Sequence, residues 1–209
     1  MAKSTQTYPY KITDSILYNL TDEYELSISE YFILYSFFVT YSCCGKQSGK
    51  KRTFKEYGWD KFARLNFGKI EADKTIYLKD NLNEIINLDD RTHFIFTTDN
   101  DDVRQCFQQI NLCDGQLSDI HTERAVITRT SESSRYLKLF YRIRDGFAHG
   151  KFVLKLNDDN EKMIIIQDDD GHNVTGRIVI KLNTLIEMIK IIDKNNLLKW
   201  REIYGQANQ

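Results

Sequence analysis

The apolar period of this chain changes at Gly150, and the change limits the folds open to it. Ahead of that glycine, Leu137, Phe140, Tyr141, Ile143, Phe147 and Ala148 recur at the 3.6-residue spacing of a broad helix face. Beyond it, residues 151–156, 163–166 and 177–180 are β-branched runs separated by Asp, Asn and Gly turns, the pattern of short antiparallel strands. The spacing predicts a helix over 132–149 that hands the chain directly to a small sheet.

That helix carries an anomaly. Arg144 falls inside the apolar stripe, four residues after Phe140 and three before Phe147, while Arg142, Asp145 and His149 are spaced by three and four along an adjoining polar flank. Desolvating an arginine there is costly unless a carboxylate, a phosphate or water answers it. One outlet is a helix terminus, in which His149 caps the last carbonyls, Gly150 supplies a left-handed stop and Arg144 pairs with an acid elsewhere. The other is chemistry on a phosphate.

Arg144 followed by the polar Asp145 and, after four intervening residues, by His149 resembles the RNase motif of HEPN domains. The apolar run ahead and Ala148-His149-Gly150 closing the element look like the same family, and the resemblance covers residues 136–152. It implies a HEPN-like helical bundle, a homodimer with a composite active site, and metal-independent endoribonuclease activity without a cofactor. His149 would move the proton of the ribose 2′-hydroxyl or of the leaving oxygen, Arg144 would hold the scissile phosphate, and Asp145 would orient one of them. Arg142, seven before His149, is the alternative catalytic arginine. Such proteins act as toxins or anti-phage effectors under an antitoxin or other regulatory protein; the competing reading is a non-catalytic module that binds nucleotide or a protein partner. Two departures stand out. Asp145 takes the place of a frequent asparagine, and Gly146 weakens a helix by about 1 kcal/mol relative to alanine, which would mark a kink.

The remaining pattern fits one mainly α domain over residues 1–209, helical over 10–149, with a β appendage at 151–181 and C-terminal helices at 183–204. Helices are expected at 13–20, 27–44, 53–66, 78–88, 100–111 and 132–149, with an irregular helix at 119–130; Thr98 and Asp99 would cap the fifth, and Ser131 or Glu132 would open the sixth. With 209 residues the chain can bury roughly 70% of its unfolded surface. A net charge of −1 excludes a global basic field, so any RNA contact has to be a local patch, and Lys46, Lys50, Lys51 and Arg52 form the densest one. The glycines around that patch are spaced one short of a phosphate-binding loop, and no strand precedes them.

Residues 31–44 are apolar but too short to span a bilayer, so they read as a buried helix, and no membrane role is expected. No CxxC pair exists for zinc, and Asp168, Asp169, Asp170, Gly171, His172 and Asn173 read as a hairpin turn before they read as a metal loop. No metal site is expected. His93 and His121 stand apart from any ligand pattern. Residues 1–6 lack an apolar leader, which points to the cytoplasm.

Overall fold

Residues 163–166 and 177–180 contain almost nothing polar to offer water, so a sheet built from them needs cover on both faces. The computed structural model, which describes residues 17, 20–43, 52–59, 68–71, 74–97, 103–113, 117, 120–128, 135–199 and 202, provides it. Three long antiparallel strands, β5 (Phe152–Leu156), β6 (Lys162–Asp169) and β7 (Val174–Lys181), follow the helix α4 (Arg135–His149). Two shorter strands, β3 (Phe94–Phe96) and β4 (Arg124–Ile127), extend them into one mixed sheet ordered β3-β4-β7-β6-β5, with β3 parallel to β4 and every other pair antiparallel.

Alternation along the strands divides the core in two. Ile164, Ile166, Ile178 and Ile180 face a cluster built with α4, with α1 (Ile28–Leu34) and its π-helical continuation Tyr35–Thr40, with α2 (Leu78–Asn83), and with α5 (Leu182–Ile192). Met163, Ile165 and Val179 face Phe107, Ile110 and Leu112 at α3 (Val103–Gln109). A separate antiparallel hairpin joins β1 (Gly68–Glu71) to β2 (Lys74–Tyr77).

The expected mainly helical, HEPN-like bundle with a β appendage is therefore wrong: the fold is α/β, and the strands after Gly150 are the middle and one edge of its central sheet. Strand β4 lies where an irregular helix was expected at 119–130, the helix expected at 78–88 ends at Asn83, and residues 53–59 of the helix expected at 53–66 form turns. The hairpin β1–β2 and strand β3 had no counterpart in the sequence reading. Helices at 27–44, 100–111, 132–149 and after 183 correspond to α1 with its π-helical continuation, α3, α4 and α5, with shifted ends. Most of the helix expected at 13–20, residues 60–66 of that expected at 53–66, most of 200–204, and the caps at Thr98, Asp99, Ser131 and Glu132 lie outside the described residues. Among the described residues, no helix is long and apolar enough to cross a membrane.

Candidate functional site on helix α4

Helix α4 buries Tyr136, Leu139, Phe140, Ile143, Gly146 and Phe147. Phe147 stacks on Phe38 (5.9 Å between centroids), meets Tyr35 edge-on (5.5 Å) and touches Phe152 (4.9 Å), so this face is covered within one chain, while Tyr141 and Ala148 of the expected apolar stripe lie outside it. Gly146 marks no kink: a Cβ there would stand 2.3 Å from Ile166 Cγ2, so the missing side chain lets α4 cross β6 closely. The helix stops as its sequence requires. Gly150 has φ +65°, Lys151 N–H donates to Gly146 O (2.8 Å) and Gly150 N–H to Phe147 O (3.4 Å), a Schellman closure that places His149 at the C-cap.

The polar residues separate into two groups. Arg142 turns toward the sheet, where its Nη1 pairs with Asp168 and its Nη2 donates to Thr128 O at 3.1 Å. Thr175 Oγ1 donates to the same Asp168 oxygen (2.6 Å), and Thr175 O accepts both the N–H (2.9 Å) and the Oγ1 hydroxyl (2.6 Å) of Thr128. The result is a closed ring of four residues taken from α4, the end of β4, β6 and β7. Thr175 is the extra residue of a bulge, since Asp168 pairs with Gly176 and Asp169 with Val174. Burial pushes the Asp168 carboxyl above its ordinary range, against the pull of Arg142 and Thr175. Beside the ring, Lys151 Nζ pairs with Asp169 (2.7 Å), fastening the chain just past His149.

The second group faces outward. Arg144 Nη1 donates to Asp145 Oδ1 at 2.6 Å, its side chain is only 14% exposed, and its buried Nε has no hydrogen-bond partner. His149 is exposed and makes no hydrogen bond or ion pair with any described residue. Helical geometry sets Arg144 and His149 about 140° apart around the axis, with Ala148, Tyr141 and Asp145 on the strip between them. Tyr141 on that strip is 39% exposed. The two residues therefore bracket the outward face of α4, and Asp145 is bonded to the arginine rather than to the imidazole.

The other expected sites fare differently. Arg52 lies 4.1 Å from the centroid of the Tyr41 ring, while Lys46, Lys50 and Lys51 lie outside the described residues. Asp170 Oδ1 accepts the N–H groups of His172 (3.0 Å) and Asn173 (2.8 Å), which makes this segment the β6–β7 turn. His93 Nδ1 meets Asp90 at 2.7 Å and His121 Nε2 meets Asp158 at 2.9 Å. Hydrogen bonds from Thr92 and the contact with His93 hold the Asp90 carboxyl down at about 2. Among the described residues, no group of three or more His, Cys, Asp or Glu side chains is placed to hold a metal. Thr128 and Thr175 were invisible to sequence reasoning, because only the sheet brings them to α4.

Comparison with models of protein families, with curated proteins and with solved structures finds no match to this chain.

Proposed function

We propose that the outward strip of α4 cleaves RNA by metal-independent attack of a ribose 2′-hydroxyl, acting in the cytoplasm as a toxin or anti-phage effector. The observation that carries this reading is the pairing of a largely buried guanidinium with an unpartnered, exposed imidazole on the two borders of one helix face. The resemblance of Arg144 to Gly150 to the HEPN RNase motif points to the same chemistry. His149 accepts the 2′-hydroxyl proton as the oxygen attacks phosphorus, and a proton is returned to the departing 5′-oxygen. The products are a 2′,3′-cyclic phosphate and a 5′-hydroxyl. Arg144 exchanges Asp145 for the phosphate and stabilises its developing charge.

Two groups about 140° apart on one helix do not converge on one phosphate, so the strip needs a second copy facing it across a two-fold axis. With the buried face of α4 already covered inside the chain, this homodimer uses Tyr141 and Ala148, which lie outside that face. The Arg144–Asp145 pair also favours a second reading, a non-catalytic module, because it leaves the arginine neutralised.

Incubating a structured RNA with wild type, Arg144→Ala and His149→Ala in EDTA, followed by analysis of product ends, separates the two. Cleavage to cyclic phosphate that falls by about 100-fold or more in both folded variants is the expected result. Intact RNA with wild type, or cleavage equal in all three, overturns the proposal.

A further inference from the structure

Among the described residues, strand β3 is an edge of the sheet, and its outer side is where chemistry outside α4 collects. In the parallel ladder with β4, His93 O accepts from Ala125 N–H (2.9 Å) and Thr97 N–H donates to Ile127 O (3.0 Å). Alternation then turns the main-chain groups of Phe94 and Phe96 away from β4. Phe94 N–H is taken by Asp90 O (2.9 Å), which leaves Phe94 O and both polar groups of Phe96 without a backbone partner among the described residues. An open edge of this kind is a template for another strand.

A cavity of about 250 Å³ lies along this edge, lined by Phe94, Ile95 and Phe96 with Arg91, Gln109 and Arg135. Arg91 is exposed and forms no ion pair or hydrogen bond among the described residues, and the Gln109 amide is equally unengaged. Arg135 lies 5.5 Å from the Phe96 ring centroid and spends one nitrogen, Nη1, on Leu88 O (3.0 Å) and Asp89 (2.8 Å). Asp89 offsets Arg135, and Lys79 also approaches Asp89 (3.5 Å), whereas Arg91 at the cavity mouth carries a cation with no carboxylate partner among the described residues.

We infer that the β3 edge is a docking site for an extended, acidic segment of a partner protein, added to the sheet as a further strand with an acidic side chain on Arg91 and Arg135. The charge of the cavity selects an acidic partner. The unpaired main chain selects a peptide over a nucleic acid, because its alternating acceptor and donor match a strand and not a phosphate backbone. This inference stands apart from the RNA-cleavage reading.

The test uses the full chain and fluorescence anisotropy, with a labelled short peptide of alternating glutamate and valine as probe. A lysine–valine peptide and a single-stranded RNA oligomer of similar length serve as comparisons. The glutamate peptide is expected to bind, the lysine peptide not to, and Arg91→Glu to weaken binding by about tenfold or more. Phe96→Pro removes an outward N–H that β4 does not use, and is expected to weaken binding more than Phe96→Ala, which loses the same ring packing on the core but keeps the N–H. Arg91→Glu changes an exposed, unpaired side chain, so it keeps the test valid if the proline variant fails to fold. Absence of binding at millimolar peptide, binding indifferent to Arg91→Glu, or RNA binding that Arg91→Glu abolishes in place of peptide binding would each overturn the inference.

Discussion

Two arginines two residues apart have opposite fates, and the neighbours of each decide which. Arg142 and Asp168 form a largely buried pair whose desolvation is offset by Thr128 and Thr175, so removing the cation strands a carboxylate among apolar strands. Arg142→Ala is expected to lower stability by about 3 kcal/mol at pH 7, measured by denaturant unfolding. Asp168 already holds its proton more tightly than an ordinary carboxyl, and loss of Arg142 raises that affinity further. Once protonated, Asp168 needs no cation. The penalty should therefore shrink as pH falls through the raised Asp168 titration, and a penalty constant from pH 7 to pH 4 would contradict the assignment. Arg144→Ala breaks a single contact between neighbours on one helix, not a ring that ties a helix to the sheet, and should cost less than Arg142→Ala. A loss of RNA cleavage in Arg142→Ala would accordingly trace to folding, a distinction that the spacing of the two arginines from His149 cannot make.

Among the elements, helix α4 shows what a sequence discloses and what it hides. Phe140, Ile143 and Phe147 of its buried face and its glycine stop are local, set within a few turns of chain, and they were legible. Tyr141 and Ala148, expected in the apolar stripe, lie outside the buried set, and among the described residues His149 caps no carbonyl with its side chain. Gly146 was misread as a kink because the reason for it, Ile166, is far along the chain. Alanine at that position gains about 1 kcal/mol of helix propensity, but its methyl meets a β-branched side chain fixed in a buried strand. Overpacking of that kind typically costs about 1–3 kcal/mol, so Gly146→Ala is expected to lower the thermal midpoint rather than raise it. The strands of the sheet divide along the same line. Strands β5 to β7 were readable from their β-branched runs and turns, whereas β3 has three residues and β4 is buried along its whole length, which removes the alternation that marks a strand. With those two hidden, a central sheet looked like an appendage. Of the candidate site, Arg144, Asp145 and His149 were named through their resemblance to the HEPN RNase motif; the bond between Arg144 and Asp145 and the diversion of Arg142 to Asp168 depend on side-chain packing that a motif does not encode.

The whole molecule bears on the proposed activity through symmetry. If the site takes Arg144 from one chain and His149 from the other, a mixture of Arg144→Ala and His149→Ala proteins should recover about a quarter of wild-type cleavage, since half the dimers are mixed and each mixed dimer keeps one intact site. No recovery after subunit exchange would show that each chain works with its own pair. The ring of Arg142, Asp168, Thr175 and Thr128 has a further consequence for the motion of the molecule. A closed cycle of hydrogen bonds drawn from a helix and three strand segments is broken if any one of them leaves, so these segments open to solvent together, as one cooperative unit. The amide hydrogens of β6 and β7 and those in the middle of α4 are then expected to exchange with one shared opening free energy, and the turn that carries His149 is tied to that unit through Lys151 and Asp169.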